Sequence, residues 1–332
     1  MEIMLEIDKD PALTSYWSYA DLISIVSTVD KKNYFLANHY NNLTCNGMED
    51  DFFIIFCVPS GVMSLYRWCP YVEYMQLSKD YIREEIKLDV LEFVRSAIEK
   101  GYYVLVMTDT YYIREYGITS HFPHEMLAYG FSDTEQRLYF CDHDVTGKFR
   151  NDMSCSFESF IKAYKEFTPL DKYHDFNDYI YLLKAKPNDK YGLDVNEICL
   201  SLQDYLCSRP ISLDKRYYKL KFGLEVYDYL THYTDVCAET NRSVDMRPYS
   251  VLLDHKKSIL ATMHCMNQDS ITDSHYMKSY KEVKQKALGI QLLAMKYNTS
   301  RGILNLTMIK DAIKCMRDIE YDVLSRFVED IR

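Results

Sequence analysis

Two short apolar runs separated by a turn are the feature that most constrains the fold of this chain. Met126–Phe131 and Leu138–Cys141 flank the turn-forming segment Ser132–Gln136, and this arrangement predicts a β-hairpin. His124 precedes the first run and Asp142 follows the second. Because paired strands bring their ends together, we expect these two side chains to be hydrogen-bonded or nearly so.

A histidine held by a carboxylate is an arrangement that acyl-transfer enzymes use. The imidazole takes the proton of a nucleophile, and the carboxylate fixes the tautomer and stabilises the imidazolium. Histidine and aspartate also serve as turn and capping residues at strand ends, so the pair alone leaves a purely structural role open. The hairpin therefore predicts a candidate base and its orienting acid, and the nucleophile has to be sought elsewhere.

Composition narrows the class of protein. The chain has 332 residues, of which 48% are hydrophobic, enough for about two domains with packed cores. Its net charge of −10 disfavours nucleic acid and anionic membranes as partners. An acidic start without a signal peptide, and a longest apolar run (Phe52–Val58) too short to cross a membrane, predict a cytoplasmic protein. The ten scattered cysteines are then expected to be reduced.

The apolar pattern divides the chain into two predicted domains. Residues 1–186 mix strand-like and helix-like segments and predict an α+β domain. Residues 191–332 predict an all-α helical domain, and the polar segment Lys186–Lys190 predicts the linker. The amphipathic stretches that predict its helices are 195–207, 219–233, 248–266, 276–297 and 303–330.

The first domain has a recognisable order of elements. The apolar positions of Tyr19–Val26 predict a buried helix, and Asp80–Lys100 predicts a second one that ends at Gly101. Ser156 is a natural cap for a third helix over 156–166. The remaining predicted elements are strands at 33–40, 52–58, 62–68, 102–107 and 179–183.

Several segments together carry a resemblance to a known family. In the first domain they are Tyr103–Tyr112, His124–Phe131 and Leu138–Asp142; in the second they are Phe222–Leu230, Asp245–Arg247, Asp254–Lys256 and Gln291–Tyr297. In their order and spacing the chain resembles the butirosin biosynthesis protein H-like family, whose N-terminal domain is related to C39-type cysteine peptidases. The resemblance implies a papain-like (C39-like) N-terminal domain.

The resemblance also implies an activity. The namesake of the family moves an acyl group from an acyl carrier protein thioester to an amine. For this chain the resemblance implies two partners, an acyl or peptidyl carrier protein and a small-molecule acyl acceptor, and no cofactor. It also implies that His124 and Asp142 are the catalytic pair. The family's nucleophilic cysteine begins the first core helix, and Ser18 stands at the matching position of Ser18–Leu22. Ala12 stands where the C39 peptidases have their oxyanion glutamine.

Two hypotheses of different class follow. The first is an acyltransferase or thioesterase that uses Ser18, His124 and Asp142 on carrier-protein thioesters in secondary-metabolite biosynthesis. The second is a catalytically inactive papain-like protein that binds a pathway partner or ligand, because a serine hydroxyl is far less acidic than a thiol. A C39-like peptidase is disfavoured, since those peptidases carry cysteine at this position and have no such helical half.

Other interpretations of these residues remain open. Ser18 is also a natural N-cap for the first helix. Cys155 precedes a predicted helix, while Cys57 and Cys69 lie in apolar surroundings, and each is an alternative nucleophile. A metal site is a further alternative, with His121, His124, Asp142, His143 and Asp144 as its candidate ligands.

A last prediction concerns the walls of the cleft into which Ser18 would open. Tyr19, Tyr111 and Tyr112 lie close in sequence to the predicted site elements. His255 and Lys256 lie on a predicted helix of the second domain. We expect these side chains to line the cleft, with ordinary packing between the domains as the alternative.

Overall fold

A computed structural model of the protein describes residues 1–46, 52–58, 62–168, 177–210 and 220–332. The chain forms two compact units. Unit 1 consists of Met1–Lys31 and Val62–Asp189, and unit 2 of Lys32–Gly61 and Lys190–Arg332. The boundary after Asp189 falls within the predicted linker, but the predicted first domain differs in that residues 32–61 belong to unit 2.

Unit 1 is built on an antiparallel sheet. Its strands are β1 (Glu2–Met4), β4 (Val72–Ser78), β5 (Tyr103–Asp109), β6 (Pro123–Ser132), β7 (Arg137–His143), β8 (Phe149–Ser156) and β9 (Tyr179–Ala185). The strand order is β4-β9-β5-β6-β7-β8, and β1 pairs with the end of β6. The predicted hairpin is therefore present as β6 and β7, near one side of the sheet.

Helices cover both faces of this sheet. They are α1 (Trp17–Val26), α3 (Val62–Trp68), α4 (Lys79–Tyr81), α5 (Val90–Glu99) and α6 (Phe157–Lys165). One face packs against α5 and α6 through a core that includes Val106, Met126 and Phe140. The other face packs against α1, whose Asp21 contacts Cys141 of β7. The alternation of side chains along each strand thus gives the sheet two buried faces.

Local sequence signals explain where the helices of this unit begin and end. Asp89 caps α5 by accepting a 2.9 Å hydrogen bond from the Glu92 amide, and Ser156 caps α6 in the same way. Gly101 follows α5 with a φ of 84°, a conformation that glycine adopts without strain. The single helix predicted over Asp80–Lys100 is wrong, because the π-helical turn Ile82–Ile86 that continues α4 ends at Lys87, which has a φ of 59°, and residues 87–89 are not helical before α5 begins.

Unit 2 combines helices with a small sheet. Its helices are α2 (Tyr34–His39), α7 (Val195–Leu206), α8 (Val226–Glu239), α9 (Arg247–Gln268), α10 (His275–Ser300) and α11 (Ile303–Asp330). Its strands are β2 (Leu43–Cys45), β3 (Ile54–Phe56) and β10 (Lys221–Phe222), in the order β10-β2-β3. None of the helices in the described part of the chain has the length and apolar character that a membrane crossing requires.

Two sequence predictions need correction here. The second domain is not all-α, since β10 pairs with β2 from the early segment of the chain. The predicted strands at 33–40 and 62–68 are the short helices α2 and α3. Aromatic and apolar runs of this length fit a strand or a buried helix equally well, and the packing of α2 against α9 decides for the helix.

Candidate functional site

His124 and Asp142 meet at one end of the β6–β7 hairpin. His124 is the second residue of β6, and the pairing of Leu127 with Cys141 places Asp142 diagonally across from it. The His124 Nδ1 and Asp142 Oδ2 atoms are 2.7 Å apart, which is a hydrogen bond. The predicted contact is confirmed.

Buried donors surround the Asp142 carboxylate. Its side chain is 1% exposed, and the Tyr116 hydroxyl donates a 2.8 Å hydrogen bond to the same Oδ2 that contacts His124. The amide of His143 donates to Oδ1 at 2.6 Å. Burial raises the pKa of Asp142, but His124 and His143 outweigh it and lower that pKa below its usual value. Asp142 is therefore a fixed anion.

His124 is correspondingly held as a cation. Burial lowers its pKa, yet Asp142 and, to a smaller extent, Glu125 raise it to about 9. The imidazole is 20% exposed and stacks on the Phe122 ring at a centroid distance of 5.6 Å. Its Nε2 atom lies 3.9 Å from the Glu125 carboxylate and makes no hydrogen bond with any residue that the structure describes. The site thus presents one N–H of an imidazolium.

Ser18 lies on α1, three residues before Asp21. It lies in the first turn of α1 with 3% exposure, and its carbonyl accepts a hydrogen bond from Tyr66. Cys141 donates to Asp21 of α1 at 3.6 Å. Asp21 also interacts electrostatically with Asp142 and His124, so this part of α1 lies within electrostatic reach of the pair. No hydrogen bond between Ser18 and His124 occurs among the described residues.

The start of α1 lies beside His143, the residue that follows Asp142 in β7. His143 Nε2 is 2.7 Å from the Thr14 carbonyl, just before the helix begins. The helix has Tyr16 at its N-cap position, and that side chain makes no capping hydrogen bond. The interpretation of Ser18 as the N-cap is therefore wrong, because Ser18 already lies inside the helix.

The cysteines considered as alternative nucleophiles are poor candidates. Cys155 lies near the end of β8 and directly precedes Ser156, the N-cap of α6, as predicted, but burial raises its pKa to about 12. Burial likewise raises the pKa of Cys57 and of Cys69 to about 12. The thiolate is the nucleophilic form, so these three thiols are inert at neutral pH.

The candidate metal ligands do not converge. His121 pairs with Asp109 at 2.6 Å and His143 faces the Thr14 carbonyl. Asp144 accepts hydrogen bonds within its own turn, from Thr146 among others. The described residues contain no group of three or more side chains suited to hold a metal ion.

The predicted cleft walls divide into exposed and buried side chains. Tyr111 is 44% exposed and Tyr112 is half-buried, whereas Tyr19 is 1% exposed in the core of unit 1. His255 and Lys256 are fully buried inside unit 2. The prediction that these two residues line a cleft is corrected accordingly, because their polar atoms are bonded within that unit.

Two residues close to the pair escaped the sequence analysis. Tyr116 orients Asp142, although nothing in its local pattern sets it apart from the many other tyrosines. Asp21 is fully buried, and burial together with Asp142 raises its pKa well above the usual value, so it is a neutral acid. A charged residue on the apolar side of α1 was the one available signal.

A comparison of the sequence with known protein families finds no match, and a comparison with curated proteins finds no significant relative.

Proposed function

We propose that this protein is a catalytically inactive papain-like binding protein of a biosynthetic pathway. In this proposal the His124–Asp142 pair donates a charged hydrogen bond to a carbonyl or carboxylate oxygen of an acyl group carried by a carrier protein. The main support is the state of His124, a paired imidazolium whose Nε2–H makes no hydrogen bond with any side chain that the structure describes. Charge-assisted hydrogen bonds of this kind are stronger than neutral ones.

The protonation of His124 argues against general-base catalysis. A histidine with a pKa of about 9 is neutral in roughly 1% of molecules at pH 7. Only that fraction could take a proton from a serine. Asp142 therefore serves ligand binding better than proton abstraction, since it keeps the donor charged and fixes the plane of its ring.

An acyltransferase or thioesterase is the second candidate. One observation favours it: Asp142 occupies Nδ1 and leaves Nε2 free, as a Ser-His-Asp triad requires. The absence of a hydrogen bond between Ser18 and His124 among the described residues weighs against it, because a nucleophile has to come within hydrogen-bond reach of its base.

A single set of measurements separates the two candidates. The intact protein is treated with a fluorophosphonate probe and with acyl thioesters of N-acetylcysteamine, and adducts and thiol release are measured by mass spectrometry and a thiol assay. We expect neither an adduct nor thiol release above the buffer rate. We also expect saturable binding of the thioester by calorimetry, weakened in His124→Gln and unchanged in His275→Gln, an exposed control in unit 2.

Either of two results would refute the binding proposal. An adduct on Ser18, or thiol release that Ser18→Ala abolishes, would establish the enzyme instead. Failure of the N-acetylcysteamine thioesters to bind at all, with the protein folded, would refute the binding function as well.

A further inference from the structure

A second histidine–aspartate pair lies elsewhere in unit 1 and plays no part in the site above. Asp109 ends β5 with a side chain that is 2% exposed, and His121 Nδ1 is 2.6 Å from its Oδ2 atom. The other oxygen accepts hydrogen bonds from the amides of Tyr111 and Phe122, both at 3.1 Å. One buried carboxylate thus fixes the exposed imidazole and the backbone beside it.

This pair organises an exposed group of aromatic rings. The Tyr111 ring lies 4.4 Å from the His121 ring and 5.2 Å from the Tyr112 ring, measured between centroids. Tyr111 is nevertheless 44% exposed. A ring that is held from behind and open in front can stack on a ligand with little loss of conformational entropy.

An open groove of about 780 Å³ lies along these rings, a volume in the range of small-molecule sites. We call it the cationic groove and define it by Tyr111, Tyr112, Arg114 and Lys162. Glu158 is the acidic residue in its wall. Unit 1 alone forms this groove.

The charges of the groove favour an anion. Lys162 lies over the Tyr112 ring at 4.7 Å, and neither it nor Arg114 forms an ion pair with any residue in the described ranges. Two cations without carboxylate partners therefore face one groove beside an exposed ring. The chain as a whole has a net charge of −10, so this local excess of positive charge distinguishes the groove from the average surface and favours an anionic ligand there.

We infer that the cationic groove binds a small molecule that carries an oxyanion on an aromatic ring. The ring stacks on Tyr111, and Arg114 and Lys162 pair with the oxyanion. The oxyanion is a carboxylate or a phosphate ester, since both suit these two side chains. This site is independent of His124 and of the proposed function.

The test is a titration of the full chain followed by two-dimensional amide NMR. Phenyl phosphate and benzoate are the probes, and inorganic phosphate and cyclohexanecarboxylate are controls that each lack one of the two features. We expect saturable shifts at Tyr111 and Lys162, with a Kd on the order of 1 mM for ligands of this size. Tighter binding of phenyl phosphate than of benzoate identifies a phosphate ester, and the reverse order identifies a carboxylate.

Matched variants test the residues. Lys162→Gln and Arg114→Gln should each weaken binding about fivefold, as the loss of an exposed charge pair would. Lys165→Gln, on the same helix but outside the groove, should leave it unchanged. Tyr111→Leu should weaken binding, and Tyr111→Phe should retain it. The inference is overturned if no shift saturates, if the lysine variants behave alike, or if inorganic phosphate binds as tightly as phenyl phosphate.

Discussion

At the scale of single residues, His124 makes the sharpest prediction. In Asp142→Asn the main group that raises its pKa is lost while burial continues to lower it. The pKa of His124 should then fall from about 9 to 6.5 or below. Titration of the His124 imidazole by NMR, in the wild type and in the variant, measures this. A His124 pKa that stays near 9 in the variant would show that Asp142 is not its partner.

The same shift predicts a dependence of stability on pH. Because folding raises the pKa of His124 from 6.5 to about 9, its stabilisation is complete below pH 6.5 and is lost as the pH rises through 9. The unfolding free energy of the wild type relative to Asp142→Asn should therefore shrink by about 3 kcal/mol over that interval. Both tryptophans, Trp17 and Trp68, lie in unit 1, so their fluorescence reports its unfolding. A difference that stays constant from pH 6 to 9 would contradict this.

The candidate site could be predicted from the sequence only in part. His124 and Asp142 belong to one hairpin, and strand pairing alone brings them together. Tyr116 and Asp21 reach the pair through tertiary packing, from a turn after β5 and from α1. The face of the sheet that α1 covers follows from the same tertiary packing, which the local sequence pattern does not determine.

At the scale of elements, one glycine fixes how β10 leads into α8. Gly223 has a φ of 57°, and a Cβ atom there would lie 2.1 Å from the Tyr205 carbonyl oxygen. Gly223→Ala should cost roughly 2 to 4 kcal/mol, because both the backbone angle and the overlap are unfavourable. Gly289→Ala, in α10 where a Cβ meets nothing within 4 Å, should instead stabilise by up to about 1 kcal/mol. Thermal unfolding followed by circular dichroism compares the two.

A buried charge network joins the helices of unit 2. Lys256 Nζ of α9 lies 2.6 Å from Glu320 Oε1 of α11, and both side chains are fully buried. The hydroxyls of Tyr205, Tyr227 and Tyr280, from α7, α8 and α10, donate to the same carboxylate. Every one of the five long helices therefore contributes to one network.

Removing one charge of this network should lower the free energy of unfolding. Glu320→Leu leaves Lys256 buried without its counter-charge and should lower the unfolding free energy by about 3 to 5 kcal/mol. The double variant Lys256→Met/Glu320→Leu should recover most of the loss, since no unpaired charge remains. The exposed pair Lys286–Glu282 serves as control and should contribute under about 0.5 kcal/mol. Additive losses in the double variant, measured by urea denaturation, would contradict the pairing.

The elements that could be predicted are those with strong local signals. The capped helices α5 and α6 and the hairpin have periodic apolar residues and clear ends. By contrast, β10 consists of two residues and exists because β2 accepts it as a partner. The helices α2 and α3 are too short for periodicity to separate helix from strand.

At the scale of the whole molecule, unit 2 is assembled from two distant parts of the chain. The early segment supplies β2 and β3, and the Asn41 carbonyl accepts a hydrogen bond from His255 of α9. A fragment of residues 190–332 should therefore fold less stably than unit 2 in the full chain, because β10 and α9 lose these partners. Addition of a peptide covering 32–61 should restore stability. Equal urea midpoints of the fragment with and without the peptide would show that the early segment does not contribute to the stability of unit 2.

This division has a consequence during synthesis. The ribosome has to add the 128 residues from 62 to 189 before the rest of unit 2 emerges, which takes roughly 6 to 26 s at ~5–20 residues per second. For that time Leu43, Cys45, Ile54 and Phe56, each at most 1% exposed in the finished fold, have none of their later helical partners to cover them. The nascent chain therefore carries an uncovered apolar segment that a holding chaperone has the opportunity to bind.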